Sequence, residues 1–340
     1  MSFALRDLDV PVLGAPMAGG PGTPQLAAAV SSAGGLGFLP GGYLSAQQLA
    51  ENIAVARSST SGPLGVNLFV PQAGVADPVE LDRYRAALRE LADRYGVEPG
   101  DARWDDDGWD AKVELLLDVR PEVVSFTFAL PDPAATARLR AAGIATAMTV
   151  TTVEEARVAT GFDTLVVQGP EAGGHRGTLD PAVEPSRRPL PELLTAVVAA
   201  VDVPVVAAGG LTDAGAVAVA MRAGASAVQV GTALLLADEA GTNPVHRAAL
   251  HDPGFTRTVV TRSFSGRYAR GLENEFTRHF DPLAPLGYPE LHYLTSPIRR
   301  AAVAAGDPNG TNLWAGTQFR SARAASAAEI VRDIGRSAEI

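Results

Sequence analysis

The chain has 340 residues, 46% of them hydrophobic, with 35 glycines and 25 prolines; that length suits two domains of roughly 150 residues or one α/β barrel with an insertion, and that hydrophobicity excludes a disordered chain. With 28 basic against 38 acidic residues the formal net charge is −10, which argues against a nucleic-acid partner. Cysteine is absent, so there is no disulfide, iron–sulfur cluster, thiolate zinc site or cysteine nucleophile, and redox chemistry needs an organic cofactor or a non-thiolate metal site.

Met1 to Arg6 shows no basic segment followed by a long apolar run, so no secretory signal is expected. The most apolar stretch, 193–211, is broken by Asp202, Pro204 and two glycines, which makes it a poor membrane span. A cytoplasmic location is the expectation. Among the basic residues only Lys112 is lysine, a skew that reads as codon bias.

Taken in chain order, eight continuous apolar runs predict strands at 12–15, 36–39, 64–68, 123–126, 145–150, 164–168, 205–208 and 227–230. Unbroken rather than alternating, they suit parallel strands buried on both faces. Alanine-rich helical patterns lie between them, at 24–32, 46–56, 134–142, 153–159, 191–200 and 213–223. Ser45, Thr152 with Glu155, and Thr212-Asp213 are start signals; Gly34, Gly143, Gly161 and Gly224 mark ends. The rhythm predicts a TIM (β/α)8 barrel, with a doubly wound open sheet as second choice. Residues 75–118, with Asp105 to Asp107 as a solvated loop, and residues 241–310 break the rhythm. They are expected to form a smaller substrate-covering subdomain over a barrel of residues 1–74, 119–240 and 311–340.

A barrel's active site is built where strands end. Ala15-Pro16-Met17 follows the first strand, Asn67 ends the third, and Gln168 opens the loop QGPEAGGHRG after the sixth. The seventh ends in Gly209-Gly210, and the eighth in Gln229-Val230-Gly231-Thr232. The two glycine loops, each before a helical segment, suit a phosphate, or else serve only tight turns. The amides Asn67, Gln168 and Gln229 suit a heterocycle edge, or else satisfy nearby backbone. His175, flanked by Gly173, Gly174 and Gly177, is a candidate for proton transfer. Glu171 is expected to orient its loop. Arg262, Arg267 and Arg270 offer positive charge to an anion, or else form surface salt bridges. His246, His251, His279 and His292 show no metal-like spacing with carboxylates, so no metal is expected. No dinucleotide fingerprint, nucleophile elbow or Walker A loop is present.

Five segments together resemble the nitronate monooxygenases. They are Ala15 to Gly20, the loop 168–177, AAGGLTDAGAVAVAMRAGASAVQVGT at 207–232, Ser265 to Gly271, and Leu313 to Gly316. The resemblance covers nearly the whole chain in order. It implies a TIM barrel with non-covalent FMN that oxidises alkyl nitronates, such as propionate 3-nitronate, with O2 to a carbonyl compound and nitrite. It assigns flavin binding to Asn67, Gln168, Gly173, Gly210 and Gln229 to Thr232, with Ala15, Pro16, Gly174 and Gly209 in the same loops and Met17 beneath the ring. It makes His175 the active-site histidine, as a base, a cation or an N–H donor. Tyr288, His292 and Tyr293 are candidate substrate contacts. Leu211 and Ala214 stand where isoleucine and glycine are expected. The expected partners are a small anionic substrate and O2, without nucleic acid or membrane, and a homodimer stays open. Two other readings remain: an FMN-dependent NAD(P)H reductase of enoyl thioesters or quinones, and a non-catalytic flavin- or phosphate-binding barrel.

Overall fold

Each of the eight apolar runs forms a strand in the computed structural model, which describes residues 3–336; the outermost ends of the expected barrel segments, 1–2 and 337–340, lie outside those residues. In chain order the strands are β1 (Val12–Gly14), β2 (Gly37–Pro40), β3 (Leu64–Phe69), β4 (Val123–Thr127), β5 (Ala145–Val150), β6 (Thr164–Gln168), β7 (Gly174–His175), β8 (Val205–Ala208), β9 (Ala227–Val230), β10 (Thr258–Thr261) and β11 (Ala269–Leu272). Eight of them pair in parallel in the order β1-β9-β8-β6-β5-β4-β3-β2. A parallel bridge from Leu13 to Leu36 joins the first to the last and closes the barrel. The sheet is closed, not an open doubly wound one.

Residues pointing inward and outward bury separate cores. Inside the barrel, Leu13, Leu36, Phe38, Val166 and Val206 pack together and are plugged from below by Phe3, Leu5 and Leu8. Outside, Val12, Val66, Val124, Val167 and Val228 pack under the ring of helices. Local sequence starts those helices as expected: Ser45 and Gln48 form a reciprocal capping box, and Thr152 accepts from the Glu155 N–H. Asp213, rather than Thr212, caps Ala214–Arg222.

The two stretches that break the rhythm meet over the strand C-terminal ends. Helices Pro78–Arg94, Glu275–Phe280 and Glu290–Ala304 bury Leu81, Leu88, Phe276, Leu291 and Ile298 in a core of their own. The helix Trp109–Val119 packs elsewhere. Its Val113 and Leu116 join the outer barrel core, because it packs between the helices Ala46–Ser59 and Pro133–Ala141 rather than in the lid. The last barrel helix, Ala327–Gly335, returns after the lid and buries Ile330, Val331 and Ile334 in that same outer core. Among the described residues no helix is long and apolar enough to cross a membrane.

Asp107 is not the solvated residue expected from its acidic run. Its carboxylate lies 2.8 Å from the ammonium of Lys112, whose side chain is 1% exposed, and accepts the Tyr43 N–H at 2.8 Å. Burial pushes its pKa up, while the ammonium opposes that shift. The Asp107–Lys112 pair therefore anchors Tyr43, a residue held at φ 66. Lys112→Met would leave a half-buried carboxylate without its partner, at a cost on the order of 3 kcal/mol. The expected result is a lower denaturant midpoint at pH 7, and an unchanged midpoint would show that the pair anchors nothing.

Candidate active site

The strand ends open into a cavity of about 470 Å³ roofed by the lid. Ala15, Pro16 and Met17 line it beyond β1, Asn67 on β3, Gln168, Gly173, Gly174 and His175 after β6, Gly209 and Gly210 after β8, and Gln229 to Thr232 at β9. Its wall contains three histidines, His175, His246 and His292, and two arginines, Arg299 and Arg300, but no aspartate or glutamate among the described residues. In a chain of net charge −10, this is a local electropositive enclosure, a place that favours an anion.

His175 is fixed at the seam between barrel and lid. The short strand β7 pairs antiparallel with β11 through Ala269↔His175 and Arg270↔Gly174. The imidazole Nε2 lies 2.8 Å from Ser265 Oγ, which itself donates to the Arg267 carbonyl at 3.2 Å. Assigning the serine proton to that carbonyl places the imidazole proton on Nε2, which then donates to Ser265, and leaves Nδ1 with its lone pair. Rings of Phe128, Tyr288 and Trp314 surround the imidazole at centroid distances of 5.8, 5.6 and 5.7 Å. Burial, and then the charges of Arg267 and Arg299, push its pKa down to about 3. At neutral pH it is a neutral imidazole. With its N–H held by Ser265, the neutral ring is left the role of base at Nδ1.

The three amides divide. Asn67 Oδ1 accepts from Ser125 at 2.9 Å and Thr127 at 3.0 Å, which directs its NH2 group away from the strand hydroxyls. Gln168 turns inward on its own loop instead, donating to the His175 carbonyl at 3.0 Å and accepting the Gly177 N–H at 2.9 Å. It shapes the backbone around His175. Gln229 lines the cavity from β9. Gly173 is glycine because the Ala315–Gly316 backbone passes too close: a Cβ there would meet the Ala315 carbonyl carbon at 2.6 Å. Gly210, at φ 70, suits no other residue without strain.

A flavin fits this set. Thr212 Oγ1 and His246 Nε2, both of residues that line the cavity, are sealed from solvent and have no hydrogen-bond partner among the described residues. Such atoms are costly unless a ligand satisfies them. Burial pushes the His246 pKa down to about 4.

The arginines singled out in sequence do not face the cavity. Arg267, 1% exposed, donates to the carbonyls of Arg176 and Thr178 and to Gln72. Arg270 donates to the Pro170 carbonyl, and Arg262 stacks on Tyr268. They are neither anion ligands nor surface ion pairs but buried or half-buried ties to backbone and ring. Glu171 does orient its loop, accepting the Leu190 N–H at 3.3 Å. Of the three lid residues expected to touch substrate, His292 lines the cavity. Tyr288 and Tyr293 line a separate space of about 30 Å³ behind Tyr43 and Phe128. Tyr43, Phe128, Trp314 and Arg299 are cavity residues that sequence reading passed over. Two of them, Tyr43 after β2 and Phe128 after β4, have positive φ (66 and 89), a strain that concentrates at functional sites.

A closed (β/α)8 barrel with paired glycine loops, the amides Asn67 and Gln229 at the cavity and a neutral histidine at the mouth suits a flavin-dependent oxidoreductase. The chain belongs to the nitronate monooxygenase family, whose model matches residues 4–336. It is 37% identical to the nitronate monooxygenase of Pseudomonas aeruginosa over 97% of this chain and 96% of that one. It is 34% identical to a probable nitronate monooxygenase of Staphylococcus saprophyticus over 98% and 96%. Among solved structures it resembles a nitroalkane oxidase from Streptomyces ansochromogenes, at 45% identity and a TM-score of 0.94 over 98% of this chain and 97% of that one. FabK from Thermotoga maritima is further away, at 27% identity and a TM-score of 0.75 over 98% and 94%.

The depressed His175 pKa has a pH consequence. With its pKa pushed down to about 3, His175 stays neutral from about pH 8 down to about pH 5, and kcat/KM reports ionisations of the free enzyme. Once the substrate's own ionisation is allowed for, kcat/KM is expected to be flat over that range. An acid limb near pH 6.5, the ordinary histidine value, that vanishes in His175→Asn would show that the ring is not held neutral.

Proposed function

We propose that this protein uses FMN to oxidise alkyl nitronates with O2, giving a carbonyl compound and nitrite. The observation that carries the reading is a neutral imidazole in a cavity whose wall bears arginine charge and, among the described residues, no carboxylate. Such a wall binds an anion and repels no part of it. The phosphate of the cofactor is assigned to Gly209-Gly210 and Gly231-Thr232, with Thr212 and His246 as further donors, and the ring to Asn67, Gln229 and the Ala15-Pro16-Met17 turn. When bound, the flavin supplies the redox chemistry, taking electrons from the nitronate and giving them to O2. The protein's own part is to hold the anion, exclude water beneath the lid, and offer His175 Nδ1 as a proton acceptor. That last capacity extends the reading to neutral nitroalkanes, whose α-proton needs a base before oxidation, in keeping with the nitroalkane oxidase of similar structure.

The reductase reading keeps the same barrel, and the FabK likeness supports it at lower similarity. Anaerobic mixing separates the two. Propionate 3-nitronate is expected to bleach the flavin absorbance rapidly and NADPH to leave it unchanged; the reverse pattern would make the protein a reductase. His175→Asn is expected to lower turnover by about a hundredfold or more, in the range for losing a proton-transfer group, while flavin content stays at the wild-type level. Full activity in that variant would remove His175 from the chemistry.

A further inference from the structure

We propose that His292 is a second catalytic residue, donating its Nε2–H to an oxygen of the nitronate or nitro group, and that Arg299 is the positioning residue that fixes it in that tautomer. The proposal rests on the nitronate reading and adds a named contact from the lid.

His292 and Arg299 lie seven residues apart, two turns along the same face of the helix Glu290–Ala304. Arg299 Nη2 donates to the His292 carbonyl at 2.9 Å and approaches Nδ1 of the same ring at 3.3 Å. A guanidinium can only donate. Nδ1 must therefore be the unprotonated nitrogen, and the proton of the neutral ring sits on Nε2. The guanidinium is itself immobilised, with Nε on Thr295 Oγ1 at 3.0 Å and Nη1 on Asn312 Oδ1 at 2.9 Å. Burial and the neighbouring positive charges, Arg299 first, push the His292 pKa well down, so the ring stays neutral.

The ring is also held by its face. It stacks on Tyr43 at 4.1 Å with an interplanar angle of 3°, and Tyr43 is in turn fixed by Asp107 and by a hydroxyl contact to Tyr288 at 3.2 Å. One ring nitrogen is committed to Arg299 and one face to Tyr43, so the cavity receives the Nε2–H. The two imidazoles are then set with opposite polarity: His175 offers a lone pair, and His292 offers a proton. A nitronate presents an anionic oxygen pair beside a carbon that has already lost its proton, and a neutral nitroalkane presents the same two oxygens beside a carbon that still carries it. A fixed donor aimed at its oxygens holds the anion in place and supports charge that builds there if His175 removes a proton from carbon. Arg299 has no carboxylate partner among the described residues, so its charge adds to the field on those oxygens without being neutralised locally.

The test uses the flavin-loaded full chain and three variants. His292→Phe keeps a ring against Tyr43 and removes the donor, His292→Gln keeps a donor, and Arg299→Met releases the tautomer. Acetate, a planar two-oxygen anion, serves as the non-reacting probe, its binding read from the flavin absorbance; the nitronate is read by anaerobic flavin reduction. His292→Phe is expected to lower the second-order rate of flavin reduction, and the acetate affinity, by about ten- to hundredfold, the range for losing a hydrogen bond to a charged acceptor. His292→Gln should recover part of both losses. In 15N-histidine NMR, wild type should show His292 protonated at Nε2, and Arg299→Met should show a mixture. Acetate affinity and reduction rate in His292→Phe within about twofold of wild type, too little for a lost charged hydrogen bond, would overturn the proposal, as would a wild-type His292 protonated at Nδ1. If His292→Phe does not load flavin, the glutamine variant and the wild-type NMR signal decide. Wild type that no nitronate reduces would fell the nitronate reading alone, because the tautomer and the acetate affinity are read without turnover.

Discussion

The guanidinium of Arg267 ties the lid to the barrel, and the active site hangs from that tie. It is buried, it has no carboxylate partner among the described residues, and it spends its donors on the carbonyls of Arg176 and Thr178 and on the Gln72 amide. Its flat face lies over Phe128 at 4.1 Å. Those contacts reach the β3 exit, the β4 exit and the loop after β6 from a single lid residue. The Arg267 carbonyl then accepts from Ser265, and Ser265 holds His175. Burying a cation costs several kcal/mol unless hydrogen bonds compensate. Here backbone carbonyls do so, which fixes loop geometry more tightly than an ion pair of two flexible side chains would.

The same choice recurs around the cavity and explains its charge. Arg176 donates to the carbonyls of Gly169 and Gln168, and Arg299 to a carbonyl, a hydroxyl and an amide. None of these cations is in contact with a carboxylate among the described residues, and the charges of Arg267 and Arg299 reach His175. Burial and this field push the pKa of His175 down to about 3. A site that keeps its histidines neutral while holding positive potential is suited to an anion that must be deprotonated, or kept so, at neutral pH. The acidic exterior therefore says little about the substrate; the wall composition does.

Most of the barrel was legible because parallel strands buried on both faces need continuous apolar runs, and eight such runs are in the sequence. The loops after the first, third, sixth, seventh and eighth strands were legible because glycines and amides stand out among apolar residues. Tyr43 and Phe128 sit at the ends of the second and fourth strands, where the same rule applies, but aromatic residues there look like ordinary core. Asp107 sits in an acidic run that reads as solvated, and only the fold brings Lys112 and the Tyr43 N–H to it. Arg299 was not legible at all. Its importance comes from a helix face that points at the barrel mouth, and nothing in its neighbourhood marks it. The arginines that were noticed, Arg262, Arg267 and Arg270, stand in a motif, yet the fold turns them onto backbone and ring. Tyr293 follows His292 directly and so faces another way on the helix, while Tyr288 precedes the helix and packs its ring between Phe128 and His175.

The two cavity histidines show how one residue type acquires opposite roles without any change in covalent chemistry. At His175 the nearest group is a hydroxyl, which can accept, and whose own proton is drawn off to a carbonyl. The ring is left to give its Nε2 proton to the protein and its Nδ1 lone pair to the cavity. At His292 the nearest group is a guanidinium, which can only give, so the ring must receive on Nδ1 and give into the cavity from Nε2. The barrel loop thus supplies an acceptor and the lid helix a donor, and neither is complete without the lid over the strand ends. Barrel and cofactor alone leave the reaction open. The lid, by setting which nitrogen is free and where cations stand, suits a substrate with two oxygens beside a carbon that has lost, or can lose, its proton.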